Sequence, residues 1–222
     1  MTFVLFGATG DLAKRKIYPA LYNLYADGKL PESFSVIGLG RREIEDETFR
    51  GNVEQSTRQF SRRSPADRED LNAFLSSFRY HPLNVSNPED YRKLLEVVQA
   101  RETELRLPDN RLFYLSVAPE FFEIIARQIQ ESGLGATRGW KRLIIEKPFG
   151  HDLATARTLN ENLSRAFEED EIYRIDHYLG KTMVQNLETL VLANPVIQAV
   201  WNREHISNVQ ITASETVGVE ER

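Results

Sequence analysis

The stretch FVLFGATGDLA, residues 3–13, decides the fold of this chain. Its first four residues are apolar and have the composition of a buried strand, and the apolar residues between Asp11 and Tyr25 recur with the period of a helix. A strand that passes through a short glycine turn directly into a helix is typical of the first βα unit of a dinucleotide-binding domain. We therefore predict such a unit at the start of the chain.

Gly7 and Gly10 occupy the turn, and Ala13 stands where a third small residue lets the helix pack closely on the strand. Glycine allows the backbone to approach a pyrophosphate, and the helix N-terminus supplies free N–H groups with a partial positive charge. The spacing GxxGxxA departs from the standard GxGxxG, so the prediction of a nucleotide site depends on where the turn lies. A turn selected for its geometry alone is the alternative.

The alternation of strand and helix continues along the first three quarters of the chain. Further strands are predicted at residues 34–37, 78–82, 112–116, 142–146 and 172–176. Further helices are predicted within 43–77, 89–101, 119–132 and 152–167, with Asn87-Pro88 and Asp152 as start signals. Repeated alternation of this kind predicts an α/β fold with a doubly wound, Rossmann-like parallel sheet.

The pattern changes after residue 176. Residues 182–193 and 195–202 have helical periodicity, and residues 205–216 alternate with period two, as in an antiparallel strand with one exposed face. We therefore predict a nucleotide-binding domain at 1–175 and the beginning of an α+β domain at 176–222.

Composition limits the function classes. The chain has 222 residues, 28 Lys+Arg against 33 Asp+Glu, and no cysteine. Disulfide scaffolds, thiolate metal sites and cysteine nucleophiles are excluded, and the net charge of −5 argues against nucleic acid as a partner. No pair among the four histidines has metal-ligand spacing, so no metal is expected. Neither an apolar run of membrane-spanning length nor a signal peptide is recognisable, so we expect no membrane association and a cytoplasmic location.

The residues after the second predicted strand indicate which dinucleotide binds. NAD sites place Asp or Glu there to accept a hydrogen bond from the ribose 2′-hydroxyl. Here Arg41 and Arg42 follow instead, and the first carboxylate is Glu43. Because guanidinium groups suit a 2′-phosphate, this position favours NADP.

Lys147 and Pro148 follow the fifth predicted strand, at the sheet edge where doubly wound folds bind ligands. A residue before proline is held extended, so Lys147 can point towards an anionic or hydroxyl-bearing substrate. A strand-ending turn without further role is the alternative.

RIDHYLGK, residues 174–181, is the densest polar cluster of the chain. In an extended segment the adjacent Asp176 and His177 would point to opposite faces, so they are not expected to form a dyad. In a helix, His177 and Lys181 would share a face and offer two donors to a phosphate. A domain junction with a structural aspartate is the alternative.

GATGDLAKRKIYPALYNL, FYLSVAP, IIEKPFG and RIDHYLGK, in this order, resemble the bacterial members of the glucose-6-phosphate dehydrogenase family. The resemblance extends to HISNVQITASETVGVEER at the end of the sequence and so covers nearly the whole chain. It implies NADP-dependent oxidation of the C1 hydroxyl of D-glucose 6-phosphate to a lactone.

The resemblance also implies roles for individual residues. The cofactor contacts would be Gly7, Thr9, Gly10, Asp11, Leu12, Arg41, Arg42, Ser116, Val117, Ala118, Pro119 and Lys147. The substrate contacts would be Lys16, Lys147, His177, Tyr178, Lys181 and Glu215. Asp176 would pair with the catalytic histidine, and Lys147-Pro148 is a candidate cis peptide.

Two departures from the family pattern bear on activity. The histidine that serves as the base in the family lies beyond GVEER. Family members are also about twice as long as this chain, and the usual subunit interface of the homo-oligomer belongs to the part that is not matched. We therefore expect an N-terminal fragment that binds NADP without turnover, with a non-catalytic NADP-binding module as the alternative function. A short-chain dehydrogenase is disfavoured, because its Tyr-x-x-x-Lys pair would need one more residue between Tyr178 and Lys181.

Overall fold

The structure, a computed structural model, describes residues 1–63 and 68–212. They divide into two compact units, with the boundary after Ile175. The first unit contains a six-stranded sheet in which every neighbouring pair of strands is parallel. The strands are β1 (Thr2–Phe6), β2 (Ser35–Gly40), β3 (Phe78–Pro82), β4 (Arg111–Leu115), β5 (Lys141–Glu146) and β6 (Ile172–Ile175).

The strands follow one another across the sheet in the order β3-β2-β1-β4-β5-β6. This is the order of the doubly wound dinucleotide-binding fold, in which the direction of winding reverses between β1 and β4. The predicted fold class is thus confirmed. The ligand crevice of such a sheet lies where the winding reverses, outside the carboxyl ends of these two strands.

Helices connect the strands and cover both faces of the sheet. In chain order they are α1 (Tyr18–Ala26), α2 (Asp46–Phe60), α3 (Arg68–Ser76), α4 (Pro88–Glu104), α5 (Phe122–Glu131) and α6 (Leu153–Leu163). Two separate apolar clusters result, one including Phe49 and Phe74 and the other including Tyr91 and Ile125. Strands β1 and β2 lie between them and are buried on both faces, which explains their short continuous apolar runs.

Both predicted start signals form helix caps. The side chain of Asn87 accepts a hydrogen bond from the N–H of Glu89, with Pro88 at the first position of α4. Asp152 accepts from the N–H of Thr155, whose hydroxyl accepts in return from the N–H of Asp152. These bonds satisfy N–H groups that have no partner within the helix, so local sequence alone decides where α4 and α6 begin.

Several predicted helices differ from the structure. The helix after the glycine turn includes a π-helical segment, Ala13–Ile17, ahead of α1. The polar stretch 43–77 forms α2 and α3 rather than one helix, with residues 64–67 outside the described part. A 3₁₀ turn, Pro119–Phe121, precedes α5. The helix from Asp152 ends at Leu163 because Ala166 and Phe167 leave the helical path to pack into the core.

The second unit begins with a 3₁₀ turn, His177–Gly180, followed by α7 (Thr182–Ala193) and α8 (Pro195–Val200), which contact each other. The predicted strand at 205–216 is wrong over 206–212, which have no regular secondary structure. An isolated strand cannot satisfy its backbone N–H and C=O groups, and no strand pairs with this segment in the described part of the chain. Residues 213–216 lie outside the described residues.

Candidate functional site

Gly7 brings the turn after β1 against the end of β4. It has φ +80°, and a Cβ built on it would lie 2.0 Å from the carbonyl oxygen of Ser116. Any other residue would therefore push the two backbones apart. The N–H of Gly10 closes the turn on the carbonyl of Gly7 at 2.9 Å. The N–H groups that follow, from Asp11 onward, begin a helix and belong to its unpaired N-terminal donors.

Ser116 presents a buried hydroxyl at the same place. Its N–H donates to the carbonyl of Phe6 at 3.0 Å, which fixes the end of β4 to β1. Its Oγ is buried and has no hydrogen-bond partner among the described residues. A buried polar atom left unpaired costs about 1–3 kcal/mol. An orphaned hydroxyl beside a glycine turn at the reversal of the sheet therefore fits a site whose ligand supplies the missing partner.

A cavity of about 70 Å³ lies beside the turn and the end of β2. Since a single water needs about 10–15 Å³ of such space, the cavity has room for a group the size of a phosphate. Its polar lining comes from Thr9, Lys14, Arg42 and Asn52. Two cationic side chains, a hydroxyl and an amide can all donate hydrogen bonds to the oxygens of a phosphate.

Tyrosine hydroxyl groups hold the walls of this cavity. Tyr18 is fully buried and donates its hydroxyl to the carbonyl of Ala8, and burial raises the pKa of Tyr18 strongly. Tyr80 donates to the carbonyl of Arg42 at 2.6 Å, and burial raises its pKa while the positive charge of Arg42 lowers it. Both tyrosines are thus neutral donors that fix the backbone on either side of the cavity.

The predicted cofactor residues occupy different positions in this arrangement. Arg41 and Arg42 are both exposed, but Arg42 lines the cavity and Arg41 does not. Asp11 forms an exposed ion pair with Arg15 at 2.8 Å. Leu12 packs against the apolar cluster under the turn, so its side chain faces inward. Sequence reasoning missed Lys14 and Asn52; the signal for Lys14 was its place one helical turn after Gly10, where its N–H donates to the Gly10 carbonyl at 3.2 Å.

Lys147 follows β5 and is exposed, and Lys147-Pro148 is a cis peptide bond, as predicted. The preceding Glu146 accepts a hydrogen bond from the hydroxyl of Tyr114 on β4. Burial and the adjacent Glu146 carboxylate raise the pKa of Tyr114 strongly, so it remains a neutral donor. The backbone ahead of Lys147 is therefore attached to the neighbouring strand. Lys16 is exposed in the π-helical segment after the glycine turn.

The second unit contains the other predicted substrate residues. Asp176 precedes the 3₁₀ turn and accepts a hydrogen bond from the N–H of Tyr178 at 3.0 Å. The turn ends at Gly180, and Lys181 is extended, with its Nζ 4.1 Å from the centre of the Tyr178 ring. Asp176 is extended, as assumed, but His177 already belongs to the 3₁₀ turn that the aspartate caps, so the extended segment does not include both residues and no single helix spans 177–181. Glu215 lies outside the described residues.

No group of three or more potential metal ligands occurs within residues 1–63 and 68–212. In the same described part, no helix is both long and apolar enough to cross a bilayer.

The sheet order and the glycine turn at the reversal point define a dinucleotide-binding domain of the doubly wound α/β class. Family comparisons agree: residues 4–186 match the model described as "Glucose-6-phosphate dehydrogenase, NAD binding domain", and residues 188–222 match the C-terminal domain of the same family. The chain belongs to the glucose-6-phosphate dehydrogenase family, and its N-terminal unit is a nicotinamide-dinucleotide-binding domain.

Known relatives support this assignment over nearly the whole chain. Glucose-6-phosphate 1-dehydrogenase of Bacillus subtilis is 50% identical over 219 residues, and that of Leuconostoc mesenteroides 43% over 217. These matches cover 99% and 98% of the chain but 44% of each relative. A solved glucose-6-phosphate dehydrogenase in complex with its substrate glucose-6-phosphate matches with a TM-score of 0.81 and 38% identity, over 91% of this chain and 42% of that one. The chain thus spans less than half the length of these relatives.

Proposed function

We propose that the chain binds NADP and belongs to an enzyme that oxidises D-glucose 6-phosphate. The observation that carries the cofactor assignment is the cavity beside the glycine turn, which Lys14 and Arg42 line. Among the described residues no carboxylate lines this cavity, and two cations stand where an NAD site offers a carboxylate to the ribose 2′-hydroxyl. The pyrophosphate would lie on the N–H groups that follow Gly10, and Ser116 would supply a hydroxyl to the nucleotide.

Replacing Arg42 by alanine tests this assignment. A charge-assisted hydrogen bond contributes about 1.5–3 kcal/mol, so we expect NADP affinity to fall by roughly ten- to a hundredfold while NAD affinity changes little. Lys14→Ala should act in the same direction, and Arg41→Ala should have the smaller effect because Arg41 does not line the cavity. Calorimetric titration of both cofactors measures the difference. Arg92→Ala, at an exposed position of α4, is the matched control. Equal losses of affinity for NADP and NAD would refute the 2′-phosphate site.

The second part of the proposal concerns the sugar phosphate. The relatives are named glucose-6-phosphate 1-dehydrogenases, and one solved relative holds that substrate. His177, Tyr178 and Lys181 are proposed to bind the phosphate, and Lys16, Lys147 and Glu215 to lie at the sugar. Lys181 fits this role because it is exposed and its ammonium group is held over the Tyr178 ring by a cation–π contact.

The chemistry is proposed to be transfer of a hydride from C1 of the sugar, which bound NADP would accept. The C1 hydroxyl must lose its proton in the same step, so a base has to be positioned there. Lys147 would orient the sugar, and Asp176 would orient the base as a positioning residue.

None of the four histidines is in the sequence context that the resemblance assigns to the base. We therefore propose that this chain binds the nucleotide without oxidising the sugar, and a non-catalytic NADP-binding module is the alternative function. Cytoplasmic location and homo-oligomerisation stay predictions.

Substitution of Lys181 tests the phosphate assignment by binding alone. In an NMR titration of the chain, Lys181→Ala should lower the affinity for glucose 6-phosphate by about tenfold or more, because one charge-assisted contact is lost. Shifts caused by unphosphorylated glucose should not change. Lys181→Arg should restore part of the affinity, and Arg203→Ala, exposed in the same unit, is the control. If both sugars lose affinity equally, Lys181 has a structural role.

A further inference from the structure

A second and larger cavity lies at the opposite edge of the sheet. It has a volume of about 670 Å³, within the range of small-molecule sites. The C-terminal end of α4, the start of β4 at Arg111 and the loop before β5 form its walls. Arg111 and Ser116 mark the two ends of β4, which at about 3.3 Å per residue are roughly 16 Å apart. This cavity is therefore distinct from the nucleotide crevice.

The floor of the cavity is an ion pair whose two charges offset each other. Arg111 and Glu102 are both almost completely buried and are joined by two hydrogen bonds of 2.9 and 2.7 Å. The third donor of Arg111 reaches the carbonyl of Leu134 at 3.0 Å. Three of the five N–H donors of Arg111 thus have protein acceptors and Glu102 offsets its charge, so recognition of a charged ligand has to come from the rim.

Two arginines form the rim. Arg106 and Arg138 are exposed, line the cavity, and form no ion pair with any residue of the described chain. Guanidinium groups bind phosphate with paired, directional hydrogen bonds. The carboxylate of Asp109 also lines the cavity and offers an acceptor to a hydroxyl group.

Arg106 occupies a backbone conformation that normally selects glycine. Its φ is +51°, and among the described residues every other residue with positive φ is a glycine. The end of α4 has the hydrogen bonds of a Schellman motif, from the N–H of Arg106 to Thr103 and from that of Leu107 to Glu102. The same motif ends α1, where Gly28 occupies the equivalent position. The arginine side chain is thus kept at a site where glycine is less strained, which indicates a function for its charge.

We propose that this cavity binds a small phosphorylated metabolite with free hydroxyl groups, its phosphate on Arg106 and Arg138 and a hydroxyl on Asp109. Such a ligand occupies a site separate from the nucleotide crevice. The proposal does not depend on the catalytic activity of the chain.

The test is an NMR titration of the chain with ribose 5-phosphate, AMP and inorganic phosphate, with NADPH present in excess. We expect ribose 5-phosphate or AMP to shift the amides of residues 103–107 and 137–138 with a Kd of about 1 mM or below, and the two ligands distinguish a sugar phosphate from a nucleotide. Inorganic phosphate should bind at least several-fold more weakly, because it has no sugar hydroxyl for Asp109.

Arg106→Gly separates binding from folding. It should lower the affinity for the phosphorylated ligand by about tenfold or more. The melting temperature should stay equal or rise by about 1–4 °C, because strain at positive φ is relieved. Arg138→Ala should also weaken binding, and Arg127→Ala on the exposed side of α5 should not. Absence of shifts at these amides, or affinities that Arg106→Gly and Arg138→Ala leave unchanged, would overturn the proposal. Failure to bind NADPH would count against the nucleotide site and not against this one.

Discussion

Gly7→Ala is expected to abolish measurable binding of NADP and NADPH. The alanine Cβ would lie 2.0 Å from the Ser116 carbonyl oxygen, and a φ of +80° is unfavourable for any side chain. The turn has to move away from β4, which would displace the helix N-terminus relative to the Ser116 hydroxyl, the two groups proposed to contact the nucleotide. Loss of two charge-assisted hydrogen bonds corresponds to about 3–6 kcal/mol, or more than roughly a hundredfold in affinity. Quenching of protein fluorescence by NADPH measures this.

Gly51→Ala is the matched control for this change. Gly51 lies inside α2, and a Cβ there meets no atom within 4 Å. Alanine should therefore stabilise the helix by about 0.5–1 kcal/mol and leave nucleotide affinity unchanged. If Gly7→Ala binds NADPH as tightly as the parent chain, close contact between the glycine turn and β4 is not required for the site.

Glu102→Ala is expected to destabilise the chain by about 3–5 kcal/mol, because it leaves the buried Arg111 guanidinium without its counter-charge. The carboxylate is about 5% exposed and accepts from two Arg111 nitrogens and from the hydroxyl of Thr2 at 3.1 Å. It thereby joins the end of α4 to the starts of β1 and β4. For a chain of this length the loss corresponds to a decrease in melting temperature of roughly 6–20 °C, measurable by calorimetry.

Two variants separate this charge effect from a general loss of packing. Glu89→Ala, at the start of α4, removes an ion pair to Arg92 in which both side chains are more than half exposed, so it should cost less than about 1 kcal/mol. Replacing the whole pair, as Glu102→Leu with Arg111→Met, should recover most of the stability lost in Glu102→Ala. A double variant as unstable as Glu102→Ala would show that the charges themselves are needed.

The elements of the first unit were largely predictable because their signals are local. Alternation of apolar runs and helical periodicity located all six strands within one to three residues, including 78–82 without error. Asn87 and Asp152 marked helix starts through hydrogen bonds to residues two or three positions away. Prediction was wrong where the outcome depended on distant partners, as over residues 206–212 of the strand expected at 205–216, since a strand exists only with a neighbour to pair with.

The candidate site was predictable in part. The glycine turn and Arg42 were found from motif and position, and Ser116 from the family resemblance. Arg42 lines the cavity beside the turn, and Gly7 lies directly against Ser116. Lys14 and Asn52 were missed because they belong to two different helical segments whose side chains meet only after the sheet has formed. The roles of Lys147, His177, Tyr178 and Lys181 stay predictions, as do those of Lys16, Asp176 and Glu215.

The sequence by itself determined the fold class and the location of the glycine turn, because periodicity, caps and glycine spacing act over a few residues. The family followed from the resemblance of four motifs to those of a known family. Only the tertiary structure decided which residues form the two cavities and which pairs are buried. Thr2 and Glu102 are 100 positions apart and hydrogen-bonded, and the carbonyl of Ser116 leaves no room for a side chain at Gly7. Such contacts depend on the order and register of strands, which are set by the packing of the whole sheet and not by any local pattern.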